Sequence, residues 1–151
     1  GGSRVSDPHA EPTRGVIPSW CRLLSLLGVW WLSYFRVINK LRKQGEFVVF
    51  DRFYADLLAD PRRYRYGGGR MMANLIFKLM PRPKLVILLD ADADVLYARK
   101  PEVEINTLSK IVENYRKYIK NAKNGVLINS DQSVEDVRRD VISQIQNILT
   151  K

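Results

Sequence analysis

The sequence predicts an α/β fold: three layers, with a parallel sheet covered by helices on both faces. Three observations lead there. Short apolar runs at Phe47-Val-Val-Phe50, Leu85-Val-Ile-Leu-Leu89 and Val126-Leu-Ile-Asn129 have the character of strands buried on both faces. Segments with helical apolar spacing alternate with them, and that order requires parallel strands joined by crossovers. Each run gives way to polar residues, Asp51-Arg52, Asp90 and Asn129, where an open parallel sheet presents its ligand-binding edge.

Taken in order, residues 1–15 are rich in Gly, Ser, Pro and charge and read as a flexible loop or start. Residues 16–151 form one domain. From Trp20, apolar residues at 23, 24, 27, 30, 31, 34, 38 and 41 predict a long helix buried on most sides, stopped by Gly45 after a basic last turn. Its charge-free stretch, Leu23 to Phe35, is shorter than the roughly 20 residues a membrane span needs, so no transmembrane segment is expected. Strand 47–50 follows, then a polar and aromatic stretch to Arg70. A helix over 71–80 is stopped by Pro81 and Pro83, and strand 85–89 comes next. A short helix over 92–99 leads through Lys100-Pro101-Glu102 into a helix over 106–123, which Gly125 ends. After strand 126–129, Ser133 and Asp136 form a capping box for the last helix.

At 151 residues the chain is long enough for one core. Its 25 Lys and Arg against 16 Asp and Glu, a net charge of +9, favour an anionic partner. The sign alone does not choose among nucleotide, phosphosugar, nucleic acid and acidic membrane. Nucleic acid is disfavoured because the arginines cluster behind one strand end. A single cysteine, Cys21, excludes an internal disulfide and fits a reducing, cytoplasmic compartment. The Trp-bearing helix offers a surface for a homodimer, with a buried core helix as the alternative.

An acid beside an arginine at a strand end can hold Mg²⁺ while the guanidinium grips a phosphate; a simple ion pair or turn is the alternative for Asp51-Arg52. Behind it, Asp60-Pro61-Arg62-Arg63-Tyr64-Arg65-Tyr66-Gly67 interleaves arginines with tyrosines and runs into Gly68-Gly69. This suits a phosphate-binding or ring-stacking loop, against the alternative of a solvated basic loop.

The run from Phe47 through Asp51-Arg52-Phe53-Tyr54 to Gly67 resembles the Asp-Arg-aromatic region of thymidylate kinases, particularly the bacterial type associated with surface polysaccharide genes. Lys84 to Asp90 resembles that family's next strand, and Arg99-Lys100-Pro101-Glu102 resembles the start of its lid. The resemblance implies a P-loop NTPase fold of the nucleoside-monophosphate-kinase type, with residues 16–151 as its C-terminal two-thirds. It implies ATP and Mg²⁺ as cofactors and phosphoryl transfer to a nucleoside monophosphate such as dTMP or a related anionic acceptor. Catalytic roles fall to Asp51, Arg52 and Arg99, and substrate contacts to Phe53, Tyr54, Arg62, Arg63, Arg65 and Tyr66. Lid residues are Arg99, Lys100 and Glu102. Asp131 and Gln132 lie near the adenine, with a turn leading to the Ser133 cap as the alternative, and Asp51 and Asp90 are the metal candidates.

Two departures qualify the resemblance. The family's Ser and Ala-Tyr-Gln after Asp-Arg-aromatic are replaced here, which puts thymidylate itself in question as acceptor. The phosphate loop G-x-x-x-x-G-K-[ST] does not occur, since the chain has no Gly-Lys pair. The family's first strand, which carries that loop, lies between those matching 47–50 and 85–89; the expectation is that it belongs to an N-terminal extension and that this chain alone is inactive. A kinase-like protein that binds nucleotide or another anion without catalysis, in surface polysaccharide assembly, is the second reading.

Overall fold

The computed structural model describes residues 9–52 and 54–150, and by packing they divide into two units, Glu11–Arg82 and Pro83–Lys151 together with residues 9–10. The first unit is helical. Helix α1 (Val16–Ser33) passes through one wide π turn (Tyr34–Ile38) into α2 (Asn39–Lys43). In that turn the Asn39 N–H reaches back five residues to the Tyr34 carbonyl. The stop at Gly45 has a local cause: with φ of 79° it lets its own N–H bond the Arg42 carbonyl at 3.1 Å and the Glu46 N–H bond the Leu41 carbonyl at 3.0 Å. These two bonds close a Schellman motif on carbonyls the helix would otherwise leave open. Lys40, Arg42 and Lys43 sit in the last turn, at the negative end of the helix dipole.

The remaining helices of this unit are α3 (Ala55–Ala59) and α4 (Arg70–Leu79). Leu23 of α1, 1% exposed, packs with Tyr54, Leu57, Tyr66, Ala73, Ile76 and Met80 to form the core. Burial of the long helix on most sides is not observed. A helix apolar all round buries only the stripe that has a partner, and here α4 is that partner. Leu24, Val29, Leu32 and Phe35 remain exposed. The helical stretch Val16–Lys43 is 28 residues, long and apolar enough by length and composition to cross a membrane, which the charge-free stretch alone is not. Residues 47–50 also differ from expectation: they run without a ladder partner among the described residues, and Phe47 and Val49 are exposed. A strand is defined by its neighbour, and an apolar run does not supply one.

The second unit is the α/β part. Strand β1 (Val86–Asp90) leads through α5 (Ala93–Arg99) and α6 (Ile105–Asn121) to β2 (Gly125–Asn129), and α7 (Val134–Leu149) follows. The strands pair in parallel, from Val86 opposite Gly125 to Asp90 opposite Asn129. Helix α6 packs on both strands and α7 on β2, so Val112, Ile119 and Ile128 are buried. Gly125 is required by close approach, since a Cβ there would meet the Ile119 carbonyl oxygen at 2.5 Å. Of the predicted capping box the Ser133 half forms: the Asp136 N–H donates to Ser133 Oγ at 3.2 Å, while the Asp136 carboxylate accepts from the Ser133 hydroxyl. Both strands end level, with Asp90 and Asn129 side by side.

Candidate functional site

Where β1 and β2 end, a network of polar groups fixes the loop that follows. Ser130 donates both its N–H, at 2.7 Å, and its hydroxyl, at 3.0 Å, to the Asp90 carbonyl. The Asp131 N–H bonds Asn129 Oδ1 at 2.8 Å, an Asx turn that aims the loop back over the strand end. Arg99, in the last turn of α5, donates to the Ser130 carbonyl and to Asp131 Oδ1, both at 3.2 Å. The structure therefore brings together Arg99 and Asp131, which the sequence proposes separately for the lid and the adenine side. Gln132 turns away and bonds Asp140 of α7 at 2.7 Å. Lys100 is paired with Glu102 at 2.5 Å, so these two of the three lid candidates neutralise each other.

Asp90 is held by a residue the sequence reading missed. Arg116 of α6 directs Nε to both Asp90 carboxylate oxygens at 2.9 Å and Nη2 to Asp92 Oδ1 at 2.9 Å. The hydrogen bonds it donates, to Asp90 first and then to Asp92, push the guanidinium pKa further up. Signal for it exists in the sequence: Val112, Arg116 and Ile119 share one helical stripe, and a cation on a buried stripe calls for an acid opposite. Both oxygens of Asp90, one of the two metal candidates, accept from Arg116. Among the described residues no group of three or more His, Cys, Asp or Glu gathers to hold an ion. Asp51, the other metal candidate, is exposed.

In the unit Glu11–Arg82, Asp51 and Arg52 are exposed just beyond residues 47–50. Arg52 has a φ of 71°, in the left-handed region that costs a side-chain-bearing residue about 1–3 kcal/mol. Phe53 lies outside the described residues. Tyr54 and Tyr66 are core residues whose hydroxyls are tied to backbone, Tyr54 to the Ala73 carbonyl at 3.1 Å and Tyr66 to the Gly69 carbonyl at 3.0 Å. Tyr54 also stacks on Phe77, with ring centroids 5.6 Å apart. Burial, and then the charge of Tyr66, drive the Tyr54 pKa well up; burial alone raises that of Tyr66. These two rings are thus engaged inside the unit and are not free stacking platforms.

The loop between them is folded on itself. Asp60 Oδ1 accepts the Arg63 N–H at 3.2 Å, and the Pro61 carbonyl accepts from Tyr64 and Tyr66. Arg62 is exposed, and Arg65, with φ of 54°, donates to Glu11 and to the Pro12 carbonyl. Gly67 permits a close approach, since a Cβ there would lie 2.1 Å from the Arg14 carbonyl oxygen. Of the sequence-predicted residues, Asp51, Arg52, Tyr54, Arg62, Arg63, Arg65 and Tyr66 belong to this unit, and Asp90, Arg99, Lys100, Glu102, Asp131 and Gln132 to the other.

A family model described as "Thymidylate kinase" matches residues 22–141, a span that holds both sets. The chain is also 28% identical over 126 residues to a "Probable thymidylate kinase" of Thermococcus onnurineus (strain NA1), an alignment covering 77% of this chain and 60% of that protein. It thus spans about 60% of the length of the curated relative it matches. The matched segment begins inside the long helix at residue 22, which makes most of that helix part of the matched domain. With four-fifths of its length inside one family model, this chain belongs to the thymidylate kinase family.

Proposed function

We propose that this chain forms the acceptor-binding and lid portion of an ATP-dependent phosphotransferase whose acceptor is a nucleoside monophosphate such as dTMP or a related small anion. The observation that carries the reading is Arg52: an arginine in the left-handed region, directly after Asp51, inside the family-matched segment. Strain of that kind persists where the surrounding fold needs the side chain aimed in one direction. In this reading Arg52 grips the acceptor phosphate, and Asp51 orients it and is the carboxylate that would join Mg²⁺. The ion would neutralise charge on the phosphate oxygens. Arg99, steadied by Ser130 and Asp131, supplies positive charge to the transferring group, and Asp131 lies on the adenine side. Arg62, Arg63 and Arg65 add a basic surface behind Arg52, and a cytoplasmic location belongs to the same reading.

The test uses the complete protein with ATP, Mg²⁺ and a panel of monophosphates, following ADP release. Arg52→Ala is expected to lower turnover by about 100-fold or more, the scale of losing one positioned charge contact, with melting behaviour unchanged. Full activity in that variant would sink the assignment. The second reading, anion or nucleotide binding without catalysis, is favoured by the Asp90 carboxylate being committed to Arg116. Nucleotide binding with no turnover on any acceptor would select it.

A further inference from the structure

We propose that Arg116 is a positioning residue for Arg99: by holding the link between β1 and α5 it sets the direction of α5, and with it the place where the Arg99 guanidinium meets a nucleotide phosphate. The inference rests on the reading of Arg99 as the lid cation, and it adds a residue of α6 that acts through it. One guanidinium spans three consecutive residues. Nε lies 2.9 Å from each carboxylate oxygen of Asp90, and Nη2 lies 2.9 Å from Asp92 Oδ1 and 3.5 Å from the Ala91 carbonyl oxygen. These residues are the whole link: Asp90 ends β1, Ala91 is buried, and Asp92 is the N-cap of α5, its carbonyl accepting the Leu96 N–H at 3.0 Å. The Asp92 side chain makes no cap bond of its own and goes to the arginine instead. Neutralising Asp90 needs only one edge of the guanidinium. Here Nη2 reaches past Asp90 to the residue that starts the next helix, and α5 packs on the helix that carries Arg116.

The other side of the site is anchored separately. Ser130 bonds the Asp90 carbonyl through both its N–H and its hydroxyl, and the Asp131 N–H bonds Asn129, so the loop after β2 keeps its place without Arg116. Arg99 is bonded to that loop through the Ser130 carbonyl and Asp131 Oδ1. For Arg99 to meet a phosphate, the Asp131 oxygen has to be given up, and the aim of α5 then depends on how its first residue is held. Helix α5 has 7 residues and is about 10 Å long, so a tilt of about 10° at Asp92 carries its far end by about 2 Å. A misplacement of about 1 Å is enough to slow a positioned reaction by about 100-fold.

The experiment measures kcat and KM for the complete protein with ATP, Mg²⁺ and a nucleoside monophosphate, and ATP affinity by calorimetry. Asp92→Ala is the cleanest variant, because that carboxylate is 74% exposed and its loss leaves the fold intact. It is expected to lower kcat by about threefold to tenfold, with acceptor KM and melting temperature unchanged. Arg116→Lys keeps the charge beside Asp90 without the fork and is expected to cost kcat about tenfold or more. Adding Arg99→Gln to Arg116→Lys is expected to cost less than about twofold further, because Arg99 is already misplaced. Arg138→Gln, which breaks an exposed ion pair of α7, is expected to have no effect. Parental kcat in Asp92→Ala and Arg116→Lys, or losses from Arg116 and Arg99 that multiply, overturns the positioning role even where Arg52→Ala abolishes turnover and upholds the kinase reading. If the protein binds ATP and turns over no acceptor, the kinase reading fails, and the same double variant decides by ATP affinity: coincident losses support the positioning role, and multiplied losses or none overturn it. A complete protein that binds no ATP overturns both.

Discussion

Replacing Arg116 by alanine strips the clamp from the end of β1, and the structure sets the scale of the loss. Asp90 has a side chain only 17% exposed and both its oxygens accept from Arg116, so without the arginine its charge is left mostly desolvated and unpaired. Arg116 itself is 41% exposed, so solvent screens part of the attraction. An exposed pair contributes about 0.2–1 kcal/mol, and breaking a fully buried one costs about 3–5 kcal/mol. A half-exposed pair falls between them, at about 1–2 kcal/mol. Asp92, 74% exposed, adds nothing measurable. With a urea slope of about 2 kcal/mol per M, the unfolding midpoint by circular dichroism should drop by roughly 0.5–1 M. Asp90→Asn in the Arg116→Ala background should recover part of the loss, because it removes the unpaired charge. A midpoint within about 0.1 M of the parent protein would refute the reasoning and leave Ser130's two bonds to the Asp90 carbonyl as the whole of the clamp.

Two further predictions concern pH. The Tyr54 pKa is raised above its ordinary 10.0, chiefly by burial, so the folded protein resists its ionisation. The stability this confers is intact below pH 10.0 and is lost as pH rises beyond it. Tyr54→Phe should cost about 1 kcal/mol at neutral pH for the lost bond to Ala73 and should flatten the alkaline limb of a melting-temperature profile; an unchanged limb would contradict the burial argument. At the other extreme, the Ser133 hydroxyl first and Arg139 second hold the Asp136 pKa below its ordinary 3.8. That contribution is present above pH 3.8 and disappears as pH falls through the lower folded value. Ser133→Ala should lower the melting temperature by about 2–4 °C at neutral pH and by less below pH 3.8. A pH-independent deficit would show that the hydroxyl does not set the Asp136 carboxyl.

The second unit was legible in the sequence almost residue by residue, because its signals are local: period, caps and breakers delimit β1, α6, β2 and α7 to within about two residues. Residues 47–50 were not, since whether an apolar run becomes a strand depends on a neighbour distant in sequence. The same distinction runs through the site. Arg99 and Asp131 were proposed separately through the family resemblance, and their pairing depends on the parallel register that sets β1 beside β2. Arg116 escaped notice because its acids lie 24 and 26 residues upstream. Tyr54 was proposed as a substrate contact through the resemblance and Tyr66 also through the Arg-Tyr loop, yet an aromatic ring with a polar tip serves equally in a core whose backbone carbonyls take up the hydroxyl.

The π turn at Tyr34–Ile38 makes the long helix a device with two phases. Each helical residue turns the chain by about 100°, so a turn that holds one residue more than an α turn sets α2 that much out of step with α1. The cations Lys40, Arg42 and Lys43 therefore point where they do because of a single-residue surplus several positions upstream. Deleting one residue there would leave an unbroken α-helix and swing the basic end around the axis by about a quarter turn. Gain or loss of one codon is thus enough to re-aim this cationic end without altering any residue in it.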